Sequence, residues 1–131
     1  MKKYAKLICA VLVLALALGL GACGKPAEPK NALEKIKAEG VLTVALSPDF
    51  SPMEFVDSSK TGQDQYVGFD VTLAKYLAEE LGVKLEIQAM SFDACQTAVS
   101  TGSVPMSISG YSWTETRAEN YDLSDYYYES K

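Results

Sequence analysis

Hydrophobic residues recur with two different periods between residues 41 and 109, and these periods predict alternating strands and helices. Residues 41–46 form a short β-branched and apolar run that ends at a Ser47-Pro48-Asp49 turn, which is typical of a buried strand. Four large apolar residues recur every four positions, as one face of a helix requires, and these are Phe69, Leu73, Leu77 and Leu81. Asp70 suits the start of that helix, and Gly82 suits its end.

The remaining segments continue the same alternation. Residues 83–89 alternate at period two and predict a second strand, residues 92–100 predict a second helix, and residues 106–109 predict a third strand. Before the first strand, residues 31–39 predict a short helix that stops at Gly40, with Leu33 and Ile36 on one face. Residues 57–65 read as a polar loop. Strands that alternate with helices indicate an α/β fold with a parallel sheet and right-handed crossovers.

The first 30 residues predict export and a lipid anchor. A basic start, residues 1–6, precedes an apolar run of 14 residues, 7–20, which is shorter than the roughly 20 residues of a membrane span. Leu20-Gly21-Ala22-Cys23 resembles a bacterial lipobox, so we expect a signal peptide over residues 1–22 and lipidation of Cys23. The alternative is an ordinary secretory leader with an incidental cysteine. The Pro-rich, charged residues 23–30 read as a tether before a domain over residues 31–131.

Charge and composition limit the kinds of function that this protein can have. Without the leader, nine basic and 17 acidic residues give a formal charge of −8, which argues against nucleic-acid binding. The sequence has no histidine, the commonest general base and metal ligand, and we expect neither a metal nor a cofactor. Cys95 lies on the apolar stripe of its predicted helix and is expected to be a small buried thiol.

Candidate chemistry gathers where the three predicted strands end. In parallel α/β sheets, ligands bind beyond the carboxyl ends of the strands, here residues 47–53, 90–92 and 109–117. The last of these loops combines Ser and Thr hydroxyls with Arg117, whose guanidinium can take both oxygens of a carboxylate. The alternative is an arginine on a solvated helix turn, with Ser and Thr acting as caps.

Four short motifs occur in a fixed order, namely Gly68-Phe69-Asp70-Val71, Leu81-Gly82-Val83, Met90-Ser91-Phe92-Asp93 and Ser107-Ile108-Ser109-Gly110. In this order and spacing the chain resembles the first lobe of the bacterial extracellular solute-binding proteins of family 3, the polar amino-acid receptors of ABC importers. The resemblance runs from about Gly40 to Ser130 and implies a type II periplasmic binding protein-like lobe. We expect the second lobe to be absent from these residues, and a lone lobe to bind its ligand weakly. The run Tyr126-Tyr127-Tyr128 fits either a hinge strand or core.

The resemblance also implies a set of ligand-binding residues. Arg117 would hold the α-carboxylate of an amino acid, assisted by Ser112, Ser109 and Gly110, while Phe50 and Phe92 would form aromatic walls. The residues alone allow other interpretations. Phe50 could equally be a core residue that anchors its loop, Phe92 could pack at the start of its helix, and Ser112 could be a helix cap. Ser47 stands where some cationic amino-acid receptors carry an acid, so that position does not support a cationic preference.

These features predict a lipid-anchored receptor outside the membrane that passes a free amino acid to an ABC permease and catalyses nothing itself. Two rivals stay open, a dehydratase-like enzyme on the same fold and a sensory lobe that signals to a partner. Against the enzyme, the pocket loops carry Glu54, Asp93 and Glu115 but no evident pair of acid and base.

Overall fold

A parallel three-stranded sheet lies at the centre of the structure, a computed structural model that describes residues 30–129. In chain order the elements are α1 (Ala32–Glu39), β1 (Val41–Leu46), β2 (Asp49–Phe50), β3 (Glu54–Val56), a 3-10 turn (Gly62–Gln65), β4 (Tyr66–Val67), α2 (Phe69–Leu81), β5 (Lys84–Ala89), α3 (Phe92–Ser100), β6 (Met106–Ser107) and α4 (Glu115–Asn120). The strand order is β5-β1-β6, with β1 parallel to both neighbours. The predicted α/β class is therefore confirmed.

Helices cover both faces of this sheet, which explains the nearly continuous apolar run of β1. Leu42, Val44 and Leu46 pack with Val71, Ala74 and Ala78 of α2 in the larger core cluster. Ala45 points the other way and packs with Cys95 of α3 and with Val104. The expectation of a buried Cys95 is confirmed, and burial raises the pKa of its thiol.

Several predicted boundaries shift by one or two residues, for identifiable reasons. Asn31 caps α1 from outside, because its side chain accepts a hydrogen bond from the Glu34 amide at 2.8 Å. The second strand begins at Lys84 because the Val83 amide is still bonded to Ala78 O at the end of α2. The third strand ends at Ser107, not Ser109, since the Ser47 amide bonds to the Ser109 hydroxyl instead of continuing the ladder.

The buried face of α2 is narrower than the leucine spacing indicates. Its buried residues are Asp70, Val71, Ala74 and Ala78, while Leu73, Leu77 and Leu81 pack only partly against the core. Phe69, expected on the core face, is 45% exposed. Leu33 of α1 is likewise exposed, and Ile36 alone of that predicted pair is buried. Small residues dominate the interface because they let the helix lie close to the sheet.

A second, antiparallel sheet formed by β2, β3 and β4 was not predicted from the sequence. Its strands flank the predicted polar loop, residues 57–65, and only Asp49 falls within the predicted turn. Within that loop, the 3-10 turn carries Gln63, whose side-chain amide donates to Ile87 O at 3.2 Å and accepts from Ile87 N at 2.7 Å. The loop is thereby fixed to the outer side of β5.

The tyrosine run near the chain end is neither a strand nor core. Tyr126, Tyr127 and Tyr128 are exposed and have no regular secondary structure. Tyr127 and Tyr128 pack on the Phe69 ring, with centroid distances of 6.1 and 5.8 Å. Among residues 30–129, no helix has the length and hydropathy needed to cross a membrane.

Candidate functional site

The carboxyl ends of the three parallel strands meet at one edge of the central sheet. The Met90 amide donates to Leu46 O at 3.1 Å, and the Ile108 amide donates to Ala45 O at 3.1 Å. These bonds hold the strands level where each one gives way to a loop. Residues 47–53, 90–92 and 109–117 therefore leave the sheet at the same edge, as expected for a ligand site.

Arg117 lies on α4, and its side chain makes polar contacts with Ser112 and Gln96. Thr114 caps α4, because its hydroxyl accepts a hydrogen bond from the Arg117 amide at 3.2 Å. The helix cap is therefore Thr114, not Ser112. The Arg117 Nη1 donates to Ser112 O at 2.8 Å, and its Nε makes a long 3.5 Å contact with Gln96 Oε1. Within residues 30–129, no carboxylate pairs with this guanidinium.

Two aromatic rings support the guanidinium. Phe92 and Tyr111 lie 4.8 Å apart between centroids, and the Arg117 Cζ lies 5.5 Å from each ring centre. Cations at this distance are attracted by the ring faces. The Tyr111 hydroxyl bonds with Ser107 Oγ at 2.9 Å, and burial raises the pKa of this phenol to about 12. A neutral, fixed platform therefore positions the arginine.

The polar groups of Ser109 and Gly110 face inward. The buried Ser109 hydroxyl donates to Glu54 Oε1 at 2.7 Å and accepts from the Ser47 amide at 3.0 Å. The Gly110 amide donates to Asp70 Oδ2 at 2.8 Å. The Ser109 hydroxyl and the Gly110 amide are thus already used inside the protein.

The absence of a side chain at Gly110 also lets the backbone lie close to the Phe50 ring. Its φ is +54°, in the left-handed region, and a Cβ built there would lie 3.2 Å from two ring carbons of Phe50. Phe50 is 56% exposed, which excludes the alternative of a core residue. Its ring lies beside the Gly110 backbone, at the edge where the loops emerge.

Two carboxyl groups lie buried behind the site. Glu54 is 1% exposed and Asp70 is fully buried. Burial, followed by the neighbouring Asp70 and Asp49 charges, raises the pKa of Glu54 to about 7, although the Ser109 hydrogen bond opposes this. Glu54 Oε2 and Asp70 Oδ1 are buried without a hydrogen-bond partner in the described part of the chain. In residues 30–129, no group of three or more Cys, Asp or Glu side chains could hold a metal ion.

The structure thus relates the six predicted ligand residues in different ways. Arg117 contacts both Phe92 and Ser112, Phe50 adjoins Gly110, and Ser109 and Gly110 bind the buried acids. Ligand contact by any of the six stays a prediction. Sequence reasoning missed Tyr111, Gln96 and the pairing of Glu54 with Asp70. For Tyr111 a signal existed, since it lies inside the hydroxyl-rich loop.

A parallel α/β lobe with its candidate site at the carboxyl edge defines the class of type II periplasmic binding protein domains, and solved structures of that class match it. Residues 42–131 match the model of the bacterial extracellular solute-binding proteins, family 3. The chain belongs to this family, as the sequence motifs predicted.

Relatives and solved structures agree with this placement. The arginine-binding extracellular protein ArtP of Bacillus subtilis (strain 168) is 34% identical over 128 residues, which are 98% of this chain and 45% of that protein. The arginine-bound form of a mutant of domain 1 from TmArgBP is 42% identical with a TM-score of 0.69, over 74% of this chain and 72% of that one. An ancestral cyclohexadienyl dehydratase is 29% identical with a TM-score of 0.67, over 74% and 39%. The chain spans about half the length of the curated relative.

Proposed function

We propose that this chain is the first lobe of an extracytoplasmic receptor that captures a free amino acid by its α-carboxylate. The observation that supports the proposal most is the geometry of Arg117. Its guanidinium rests on Phe92 and Tyr111 and bonds to the Ser112 carbonyl, yet it pairs with no carboxylate within the described residues. An arginine held in place without its natural partner suits an incoming carboxylate.

Exposed aromatic rings support the proposal that the ligand's side chain lies between Phe50 and Phe92. The Phe50 ring is exposed beside Gly110, and Phe92 is partly exposed at the start of α3. Ring faces attract both aliphatic stems and cationic heads. Arginine is the first ligand to test, because a relative is named as an arginine-binding protein.

Substitution of Arg117 tests the carboxylate site directly. We expect Arg117→Ala to weaken amino-acid binding by roughly 30-fold to several thousand-fold, because removing one partner of a buried charge pair costs roughly 2–5 kcal/mol. Arg117→Lys should restore little, since an ammonium cannot reproduce the bidentate geometry. Isothermal titration with arginine, followed by a panel of other amino acids, measures the loss.

Lys75→Ala provides the matched control, because it removes an exposed cation on α2. Circular dichroism would confirm that all three variants are folded. If the affinity of the Arg117→Ala protein were within threefold of the parent's, Arg117 would be an ordinary solvated arginine, and the carboxylate site would be refuted.

We further propose that Cys23 carries a lipid anchor and that an ABC permease receives the amino acid. The lipobox-like Leu20-Gly21-Ala22-Cys23 supports the anchor, but residues 1–29 lie outside the described part of the structure, as do the predicted signal peptide and most of the tether. Family membership supports the permease.

A dehydratase-like activity is the second candidate, supported by similarity to an ancestral cyclohexadienyl dehydratase. The buried acids do not favour it. Glu54 has the pKa of a useful general acid, but at 1% exposure it has no access to a substrate at the sheet edge. Asp93 and Glu115 are exposed on the surface. Turnover of prephenate or arogenate by the chain would support the enzyme instead.

A further inference from the structure

Two consecutive residues of the candidate site bind two different buried carboxyl groups. Ser109 donates its hydroxyl to Glu54 Oε1 at 2.7 Å, and Gly110 donates its amide to Asp70 Oδ2 at 2.8 Å. Glu54 comes from β3 of the small sheet and Asp70 from the first turn of α2. The segment that begins the candidate carboxylate site is therefore fixed by acids from two separate elements.

The other oxygen of each acid has no partner in residues 30–129. These atoms, Glu54 Oε2 and Asp70 Oδ1, are both buried. The two carboxyl groups hold consecutive residues, and the charge of Asp70 is one of the causes that raise the pKa of Glu54. Two ionised carboxylates buried close to one segment repel each other, and a buried oxygen without a donor is costly. A single proton between the two groups would satisfy both oxygens and remove one of the charges.

We propose that Glu54 and Asp70 share one proton and, through it, position Ser109 and Gly110 for the ligand's carboxylate. Both acids are positioning residues that act through the backbone and the hydroxyl they hold, since neither reaches the ligand. The inference rests on the proposed amino-acid site. It adds to that site a dependence on one proton.

The groups that face this acid pair act on the proton in both directions. The Ser109, Gly110 and Tyr127 donors favour the ionised acids, whereas burial and neighbouring negative charge favour the protonated pair. Asp49 from β2 adds negative charge near Glu54. The Tyr127 hydroxyl contacts Asp70 Oδ2 at 3.3 Å, and burial and the neighbouring acids raise the pKa of this phenol, so it stays neutral. Cys95, across the sheet, is a buried neutral thiol. No cation pairs with either acid among the described residues.

The pH dependence of binding follows from this arrangement. The pKa of Glu54 is about 7, so the pair carries its proton below neutral pH and loses it above. Loss of the proton places two facing charges behind Ser109 and Gly110 and adds negative charge near the incoming carboxylate. We expect the affinity to be highest near pH 6 and to fall as the pH rises.

The test is titration of the full chain with arginine between about pH 6 and about pH 8. One proton changes an affinity by at most about tenfold per pH unit, so the parent should weaken by roughly tenfold over this range. Glu54→Gln should bind with the parent's pH 6 affinity and vary less than about twofold. Its amide can accept from Ser109 and donate to Asp70, as the protonated acid does.

Glu86→Gln is the matched control, because it neutralises an exposed acid on β5 and should keep the parent's pH profile. A parent without pH dependence would overturn the proposal. So would a Glu54→Gln protein that keeps the parent's slope, or one that has lost binding at pH 6.

A measurement without ligand separates this proposal from the proposed function. Carbon NMR of the Glu54 side-chain carboxyl in the unliganded parent should show its titration near pH 7. If the chain bound no amino acid at all, the proposed function would fail, yet a Glu54 titration near pH 7 would still support the shared proton. Titration of Glu54 in the ordinary carboxyl range would overturn it whether or not ligand binds.

Discussion

Three consecutive residues at the site edge have three separate functions in the structure. The Ser109 hydroxyl bonds with Glu54 and Ser47, and the Tyr111 ring supports Arg117. Gly110 donates its amide to Asp70 and adopts a left-handed backbone conformation. None of these groups is interchangeable with its neighbour. The backbone conformation of this short segment therefore determines both what the buried acids hold and where the arginine platform stands.

At the same scale, the stability of the fold should depend on Glu54 and on pH. The folded-state pKa of Glu54 is about 7, above the ordinary glutamate value of 4.5, so the folded state retains a proton that the unfolded state releases. The favourable effect is full below about pH 4.5 and disappears as the pH rises through about 7, a change on the order of 3 kcal/mol. Urea unfolding should show this loss in the parent.

Glu54→Gln should remove that part of the pH dependence while other acids keep theirs. The difference between the two unfolding profiles isolates the contribution of Glu54. If the profiles ran parallel from about pH 4.5 to about pH 8, Glu54 would titrate alike in the folded and unfolded chains.

Arg117 was recognisable from sequence, whereas the acid pair behind it was not. A lone arginine after a predicted strand, among Ser and Thr residues, indicates anion binding by its chemistry. Glu54 and Asp70 are separated by the small sheet and the 3-10 turn, and Asp70 looks like an ordinary helix-start acid. Only tertiary packing buries them together.

Among the elements, α2 depends on one glycine for its attachment to the small sheet. Gly68 has φ +125°, and a Cβ there would lie 2.3 Å from Met53 O. This approach lets the Phe69 and Asp70 amides donate to Pro52 O and Met53 O at 3.1 and 2.9 Å. The first turn of α2, and with it the Asp70 carboxyl, is thereby held against β3.

Gly68→Ala should therefore destabilise the fold by roughly 3 kcal/mol or more, because overpacking against backbone adds to the strain of the positive φ. Gly62→Ala is the control. Its φ is +62° with no atom within 4 Å of a built Cβ, so only the conformational cost of about 1 kcal/mol applies. Urea denaturation of both variants measures the difference. Equal losses would show that the contact with Met53 is relieved by a small backbone shift.

The elements with a strong period were the predictable ones. β1 and α3 match their predicted bounds because five or more residues repeat one pattern there. β2 and β4 have two residues each, too few for any period, and they exist only because β3 lies between them. Phe69 followed the helical spacing but lies at the first turn, beyond the area that the sheet covers.

At the scale of the whole molecule, the chain forms one lobe of the type II periplasmic binding protein fold. Large aromatic rings are exposed on its surface, including Phe50, Trp113, Tyr126 and Tyr128. The chain covers 45% of its curated relative. Ligands in this kind of site are buried when a second lobe closes over them.

We expect this chain to bind its amino acid at least about tenfold more weakly than a two-lobed version, because a lone lobe leaves much of the ligand in water. The comparison joins the second lobe of the Bacillus subtilis relative to this chain, and titration calorimetry measures both proteins. Equal affinities would mean that this lobe alone supplies the binding energy.

The two hydrogen bonds between Gln63 and Ile87 also affect the outer edge of the central sheet. β5 is an outer strand of the central sheet, and an open outer strand is a template on which another chain can add a strand. At Ile87 the glutamine amide takes both the donor and the acceptor that such a strand would use. One side chain from a polar loop thereby closes this edge of the sheet to an added strand and protects it from aggregation.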